Sequence, residues 1–318
     1  MTDLTQAPQV PFHGIWPALL TPLDADLAIN QPRFNHHALR LLAAGCTGVT
    51  PFGTTGEGPA FSLAEREAAI NGLVAGGVPA HRILVSTSCV ALPETLQLTR
   101  HALAIGAHGC LMLPPFFLKG VSDQGIVDAY RYVLDRTATG AASGGVDARL
   151  KLYLYHIPQV AAVGLSHAVI AELKARYPGT IVGIKDSQCQ RDHSVALAAA
   201  FMQDVRVYVG NEPDLPELAA LGSTGAVSGL ANMLPRTVAA LVAEHASAQT
   251  PARLARIRGL LELLGGYALV PALKGIMALI DGDAGWLRVR PTLVALDDGA
   301  FEALLAQLQQ IGLTDLTG

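Results

Sequence analysis

Lysine is scarce in this chain of 318 residues: of its 22 basic residues only five are lysines, at positions 119, 151, 174, 185 and 274. A GC-rich genome is sufficient to explain a preference for arginine. The difference nevertheless has a chemical consequence, because arginine stays protonated in proteins whereas lysine can lose its proton and act as a nucleophile. Each of the five lysines is therefore a candidate for amine chemistry.

Charge is also sparse, since Asp, Glu, Lys and Arg make up 15% of the residues and the net charge is −4. A nucleic-acid partner needs a concentrated basic surface, which this composition does not offer. The hydrophobic content of 51%, with Gly and Pro spread along the chain, is typical of a folded protein rather than a disordered one. The length suits one large α/β barrel with an appendage, or two domains.

The four cysteines lie at least 21 residues apart, without a C-x-x-C motif and in or beside apolar segments. We therefore expect buried free thiols rather than disulfides or a zinc site. The first 12 residues lack the basic and apolar regions of a signal peptide, and the apolar stretch 260–280 is interrupted by Glu262, Pro271 and Lys274. These features predict a soluble, cytoplasmic protein with no membrane partner.

Apolar runs alternate along the chain with amphipathic segments. Eight runs are strand-like: 14–20, 47–52, 82–88, 109–114, 150–156, 180–185, 205–209 and 224–228. Because these runs are apolar nearly throughout, they suit a parallel sheet that is buried on both faces. The pattern predicts a (β/α)8 TIM barrel with a C-terminal helical extension, with a doubly wound open sheet as the alternative.

Helical patterns occupy the segments between these runs, at about 31–44, 62–76, 92–106, 122–138, 166–176, 190–203 and 212–221, and again at 235–246, 251–264, 270–280 and 298–312. Ser62, Ser122 and Ser166 are predicted N-caps, and Ser62 with Glu65 forms a capping-box pattern. We predict an N-terminal arm at 1–13, a barrel with the active site at 14–230, and the last barrel helix with the helical region at 231–318. The small residues of 137–148 predict a surface loop.

In such a barrel the active site lies at the carboxyl ends of the strands. Lys185 ends the run 180–185 and is expected to point into the barrel mouth, where partial burial favours the neutral amine that attacks a carbonyl carbon. Tyr155 ends the preceding strand and is a candidate proton carrier next to it. From the spacing alone, a structural lysine paired with Glu212 or Asp186 is an equal alternative.

The turn Gly53–Gly56 contains two threonines, Thr54 and Thr55, and is suited to hold a carboxylate with hydroxyl and backbone N–H groups. It is not a dinucleotide-binding fingerprint, and the chain has neither a Walker motif nor a G-x-S-x-G elbow. The ten histidines show no metal-binding spacing, so no metal is expected.

Three motifs in order carry a resemblance to a known family: Gly53-Thr-Thr-Gly-Glu57, Tyr155-His-Ile-Pro158 and Gly183-Ile-Lys-Asp-Ser187. They resemble the dihydrodipicolinate synthase / N-acetylneuraminate lyase family of class I aldolases. The opening Gly14-Ile-Trp-Pro-Ala-Leu-Leu-Thr-Pro22 and the late Arg290-Pro291 extend this similarity over nearly the whole chain.

The resemblance implies a barrel with a C-terminal helical region, usually a homotetramer, that forms a Schiff base with a 2-oxo acid such as pyruvate and needs no cofactor. Lys185 then matches the Schiff-base lysine and Tyr155 the proton-relay tyrosine. Thr54 and Thr55 match the carboxylate-binding pair, and Val227 matches a position beside the bound pyruvyl group. A homo-oligomer, tetramer or dimer, is expected.

Departures from the family pattern limit the substrate. Val160 stands where dihydrodipicolinate synthases carry an arginine, and Phe117 where they carry a tyrosine donated across a dimer, which argues against lysine biosynthesis. His156 replaces an asparagine, without an evident role. Sialic acid lyases differ as well, since they have Ser-Thr in the glycine turn and Gln after the lysine. Phe117, Val160 and Asn211 are candidate pocket residues.

The sequence therefore predicts a lyase or aldolase that releases or condenses pyruvate through Lys185, on a sugar-acid derivative or a compound with an apolar tail lying on Phe116 and Phe117. A dehydratase of a 2-oxo-3-deoxy sugar acid, using the same Schiff base, is one alternative. A catalytically silent barrel that binds a 2-oxo acid is another. A phosphate-binding barrel is disfavoured because Glu212 follows the seventh run, where an anion would have to sit.

Overall fold

The computed structural model describes residues 14–139, 145–223 and 225–313. The predicted N-terminal arm, the tip of the 137–148 loop and Thr224 lie outside the described residues. Seven parallel strands form one sheet in the order β1-β7-β6-β5-β4-β3-β2. The strands are β1 (Gly14–Pro17), β2 (Leu84–Ser86), β3 (Gly109–Met112), β4 (Leu152–His156), β5 (Ile181–Asp186), β6 (Arg206–Val209) and β7 (Gly225–Ser228).

The sheet closes through the segment predicted as a strand at 47–52. That segment makes only two parallel bridges, Ala18 with Thr50 and Val49 with Ile83, instead of a regular strand. Beyond Thr50 the Pro51 carbonyl still accepts a hydrogen bond from the Ser86 N–H at 3.3 Å, but regular pairing stops because Pro51 has no N–H group and Phe52 turns the chain with a φ of 60°. The segment nevertheless joins β1 to β2, so the strands surround the core. This arrangement confirms the predicted barrel rather than an open doubly wound sheet.

Helices follow the strands and cover the outside of the barrel: α1 (Gln31–Ala43), α2 (Leu63–Ala75), α3 (Leu92–Ala104), α4 (Asp123–Leu134), α5 (Pro158–Ala161), α6 (His167–Arg176), α7 (Arg191–Phe201), α8 (Leu215–Ala220) and α9 (Pro235–Ala243). The side chains of Ser62, Ser122 and Ser166 each accept a hydrogen bond from the backbone three residues later, as predicted for N-caps. Glu65 completes the predicted capping box with Ser62. The short helix α5 is not anticipated by the sequence pattern.

The C-terminal region consists of α10 (Thr250–Leu264), α11 (Leu269–Asp281) and α12 (Asp298–Gln310), and it confirms the predicted helical extension. After α11, Arg290 donates hydrogen bonds to the carbonyls of Leu27 and Ala60, pairs with Glu65 and stacks over Phe61, with 4.3 Å from its guanidinium carbon to the ring centroid. In the described residues no single helix is long and apolar enough to span a membrane, and α10 with α11 reach that length only as a pair bent by 119°.

Aromatic side chains fill the barrel interior. Trp16, Tyr153 and Tyr208 are buried there, together with Leu84 and Leu111. Glycines make room for the rings: a Cβ at position 48 would lie 2.1 Å from the Trp16 ring, and one at position 183 would lie 2.3 Å from the Tyr153 ring. The barrel interior is therefore a packed core.

All four cysteines are free thiols, and Cys46 and Cys110 are buried as predicted. Cys89 is only half-buried and Cys189 is exposed, which corrects the expectation that every thiol is buried. Cys189 lies in the loop after β5 with a φ of 59°, outside the apolar run that precedes it.

Candidate active site

Tyr155 and Lys185 lie side by side at the carboxyl end of the barrel. They are register partners on β4 and β5, and both are buried, with exposed fractions of 4% and 6%. Lys185 Nζ lies 4.1 Å from the centroid of the Tyr155 ring. The parallel pairing of two neighbouring strands thus places an amine against the face of a phenol ring.

Among the described residues no carboxylate forms an ion pair with Lys185, although Glu212 is near enough for the two charges to interact. Asp186, the next residue on β5, faces the outside of the barrel, where its carboxylate accepts hydrogen bonds from Ser194 Oγ (2.6 Å) and the Gln188 backbone (3.0 Å). Glu212 is held by Ser228 Oγ at 2.5 Å, and burial raises the pKa of its carboxyl group. The alternative of a structural lysine paired with Glu212 or Asp186 is therefore not seen.

The glycine turn, Gly53–Gly56, lies beside Tyr155. The backbone has left-handed φ values at Phe52 (60°) and Glu57 (57°), and the turn is closed so tightly that a Cβ at Gly58 would lie 1.9 Å from the Phe52 carbonyl oxygen. Thr54 Oγ1 is 3.4 Å from Tyr155 Oη. In the described part of the chain, the N–H groups of Thr55 and Gly56 donate no hydrogen bond, and Thr55 is the more exposed of the two residues.

A buried ion pair links the glycine turn to α11. Glu57, at the end of the turn, pairs with Lys274 on α11, and the two side chains are 2% and 0% exposed. Lys274 Nζ also donates a hydrogen bond to the Arg288 carbonyl at 2.9 Å. Burial lowers the pKa of Lys274, an effect opposed by the charge of Glu57. The C-terminal helical region is thereby coupled to the turn that contains Thr54.

A cavity of about 150 Å³ opens next to Tyr155 and Thr54. Of the predicted pocket residues, Val160 lines it from α5. Phe116 lines it rather than Phe117, whose side chain is 73% exposed. Asn211 does not line it and instead donates a hydrogen bond to Asp214 at 2.7 Å. Val227 is buried in the barrel interior beside Tyr155.

Two serines that the sequence analysis did not select also line this cavity, namely Ser86 and Ser88 after β2. Both could have been found by the rule that selected Lys185, because they close the apolar run 82–88. Arg66 lies behind them and is 2% exposed. It donates hydrogen bonds to the Ser86 carbonyl (2.5 Å) and the Ser88 carbonyl (3.0 Å).

His156 lies on the outer side of the sheet, directly behind Tyr155. Its Nδ1 accepts a hydrogen bond from the Leu165 backbone at 2.9 Å, so its Nε2 carries the proton and donates to Gln188 Oε1 at 2.6 Å. Burial lowers the pKa of this imidazole. The ring stacks on His193 with centroids 4.6 Å apart. His156 thus links the two loops that follow β4 and β5.

His156, Asp186 and His193 bring their potential ligand atoms within 4.8 Å of one another, a cluster that the sequence spacing did not reveal. The group is already joined by hydrogen bonds, because His193 Nδ1 contacts Asp186 Oδ2 at 3.1 Å. Both ring nitrogens of His156 are occupied as well. We therefore describe the cluster as a hydrogen-bonded support behind Lys185 and Tyr155.

The chain is similar to known proteins in sequence and in fold. A model of the dihydrodipicolinate synthetase family matches residues 11–310. The chain is 31% identical over 305 residues to an uncharacterized DapA-like lyase of Chloroflexus aurantiacus, covering 94% of this chain and 97% of that protein. It is 32% identical over 238 residues to the 4-hydroxy-tetrahydrodipicolinate synthase of Thermus thermophilus, covering 72% and 73%. The crystal structure of dihydrodipicolinate synthase from Agrobacterium tumefaciens has a TM-score of 0.85 to it at 30% identity, covering 94% and 99%.

Proposed function

Because this chain belongs to the dihydrodipicolinate synthetase family, whose named members are lyases and synthases, we propose that it is a Schiff-base-forming lyase that acts on a 2-oxo acid through Lys185. The observation that carries this proposal is the buried Lys185 amine, which lies on the Tyr155 ring without an ion pair to a carboxylate among the described residues. An amine buried at the mouth of the barrel beside a tyrosine is placed for nucleophilic attack on a carbonyl carbon.

The proposed reaction begins when the neutral amine of Lys185 attacks C2 of the 2-oxo acid and the C2 oxygen leaves as water. The substrate carboxylate is held by the hydroxyl groups of Thr54 and Thr55 and by the unbonded N–H group of Thr55, which are suited to an anion. As the C3–C4 bond breaks, its electron pair moves into the iminium and forms an enamine, while the C4 hydroxyl loses its proton and becomes a carbonyl.

Tyr155 moves the protons in this scheme. Its hydroxyl lies 3.4 Å from Thr54 Oγ1, and the amine of Lys185 lies against its ring. Tyr155 gives its proton to the departing C2 oxygen, then takes the proton of the C4 hydroxyl and returns it to C3 of the enamine. Hydrolysis of the resulting iminium by one water molecule releases pyruvate and restores Lys185. The iminium is the electron sink, so the scheme needs no cofactor.

The test is reduction with borohydride in the presence of pyruvate, followed by intact-mass analysis and peptide mapping. We expect one reduced pyruvyl group on Lys185 in the wild type and none in Lys185→Ala. Lys119→Ala, which changes an exposed lysine near the same end of the barrel, is the matched control and is expected to label normally. Failure to label the wild type, or equal labelling of Lys185→Ala, would refute the Schiff base.

The same mutants separate the lyase from a silent binding protein, since only an enzyme loses turnover of 2-oxo acids in Lys185→Ala.

We also propose a homo-oligomer, a dimer or tetramer. Phe117 and Leu118 support it, because two adjacent large apolar side chains are 73% and 68% exposed in the single chain. Light scattering after gel filtration measures the oligomeric state. The free thiols favour the cytoplasm as the compartment.

A further inference from the structure

The wall of the cavity beside Tyr155 contains no charged side chain among the described residues. Its polar side chains all carry hydroxyl groups, and its apolar part is formed by Phe52, Pro59, Leu113, Phe116, Val160 and Ala161. A second carboxylate or a phosphate beside the apolar residues Leu113, Phe116 and Val160, away from the threonine turn proposed for the first carboxylate, would lose its hydration without meeting a cation that replaces it. The cavity therefore selects against a charged group at this end of the substrate.

The size of the cavity also suits a ring-sized group. Its volume of about 150 Å³ is comparable to that of an apolar protein cavity known to accept a benzene molecule. Phe116 and Leu113 on one loop and Val160 on α5 supply apolar surface for such a ring. A ring-sized apolar substituent thus fits both the volume and the chemistry of the wall.

Ser86 provides one unused polar group in this wall. The residue is 5% exposed, and its Oγ has no hydrogen-bond partner in the described part of the chain. Ser88 differs, because its Oγ accepts a hydrogen bond from the Leu113 backbone at 2.7 Å. Arg66 donates a hydrogen bond to the Ser86 carbonyl. The backbone of this loop is therefore held in place, while the Ser86 hydroxyl has no partner in the described part of the chain. A buried hydroxyl without a partner is costly unless a ligand satisfies it.

We infer, on the basis of the proposed function, that the fragment released from C4 is an uncharged aldehyde with an apolar, ring-sized substituent, and that Ser86 donates a hydrogen bond to its oxygen. The C4 hydroxyl of the substrate gives up its proton when the C3–C4 bond breaks, so the aldehyde leaves as a neutral molecule. The structure assigns the apolar wall to the substituent and the Ser86 hydroxyl to the developing carbonyl.

Two substrates that differ only at C4 test this inference. 4-Hydroxy-2-oxo-4-phenylbutanoate carries a phenyl group there, and 4-hydroxy-2-oxoglutarate carries a carboxylate. Pyruvate release is measured with lactate dehydrogenase. We expect kcat/KM to be about 100-fold higher for the phenyl compound, because the carboxylate would be desolvated without a partner. Equal or faster cleavage of the carboxylate compound by the wild type would overturn the inference.

Val160→Arg introduces a cation into the wall. It is expected to lower kcat/KM for the phenyl compound by about 10-fold and to raise it for the carboxylate compound by a similar factor. Val294→Arg is the matched control, since Val294 is 79% exposed and does not line the cavity. An unchanged preference in Val160→Arg would contradict the assignment of this wall to the substituent.

Ser86→Ala tests the hydroxyl separately. We expect kcat/KM for the phenyl compound to fall about 10-fold, while labelling of Lys185 by pyruvate and borohydride is unchanged. An unaltered kcat/KM would refute the role of Ser86. Normal labelling without a preference for the phenyl compound would overturn the inference alone, whereas absence of labelling would overturn it together with the proposed function.

Discussion

Tyr155 holds the amine of Lys185 against its ring face, with 4.1 Å between Nζ and the ring centroid, while its hydroxyl lies 3.4 Å from Thr54 Oγ1. The ring and the hydroxyl of one side chain therefore have separate tasks, because the ring positions the amine and the hydroxyl faces the turn proposed to hold the carboxylate. A variant that keeps the ring and removes the hydroxyl separates them.

Tyr155→Phe is expected to retain labelling of Lys185 by pyruvate and borohydride but to lower kcat by about 10²- to 10⁴-fold, since only proton transfer is lost. The measurement is steady-state pyruvate release together with intact-mass labelling. Tyr153→Phe is the matched control: this residue precedes Tyr155 on the same face of β4, and its hydroxyl bonds to His108 at 2.9 Å. A kcat of Tyr155→Phe within a few-fold of the wild type would contradict the proton-carrying role.

The buried pair of Glu57 and Lys274 predicts a large loss of stability on removal of one partner. Lys274→Met leaves the Glu57 carboxylate buried without its cation, and we expect the free energy of unfolding in urea to fall by about 3–5 kcal/mol. The double variant Glu57→Gln with Lys274→Met is expected to recover part of this loss. Lys174→Met is the control, because the pair of Lys174 with Asp204 is partly exposed and such pairs contribute at most about 1 kcal/mol. Equal losses in both lysine variants would contradict this account.

Buried His37 predicts a pH-dependent stability. It is 0% exposed, and its ring nitrogens contact Asn232 Oδ1 at 2.8 Å and Arg40 Nη2 at 3.1 Å. Burial and the Arg40 charge lower the pKa of His37 from 6.5 to about 3. Between these values the unfolded chain binds a proton that the folded chain does not. The contribution of neutral His37 to the free energy of unfolding is therefore fully present above pH 6.5. Below pH 6.5 the free energy of unfolding falls by about 1.4 kcal/mol per pH unit.

The contribution of His37 is measured by urea unfolding at a series of pH values from 7 to 4. His37→Gln is expected to reduce the slope below pH 6.5, because glutamine cannot be protonated. His36→Gln is the matched control, since the neighbouring His36 is exposed. If His37→Gln keeps the wild-type slope, as His36→Gln is expected to do, the loss of stability at low pH has another origin.

His156 is predicted to hold the loops that follow β4 and β5. His156→Ala leaves the Leu165 N–H group without its acceptor, and we expect stability to fall by about 1–3 kcal/mol and KM for the 2-oxo acid to rise. Chemical denaturation and steady-state kinetics measure the two effects. His167→Ala, at an exposed position on α6, is the control. An unchanged KM in His156→Ala would limit its role to stability.

Much of the architecture could be predicted from the sequence, because strand and helix periodicities are local properties of the chain. The helix boundaries, the three serine N-caps and the barrel followed from these patterns. The segment 47–52 is the exception, since an apolar run does not reveal that Pro51 and Phe52 stop regular pairing. The motifs also identified the family, which the comparisons confirm.

The sequence by itself determined which residue types end each strand, and so placed Lys185, Tyr155 and Thr54 at one end of a barrel. Only the tertiary structure decided which side chains meet across distant segments. It brings Lys274 to Glu57, His193 to His156 and Arg66 behind Ser86, and it turns Asp186 away from Lys185. It also places Phe116, rather than Phe117, in the cavity. These contacts depend on packing between elements, whereas periodicity reports only which face of one element is buried.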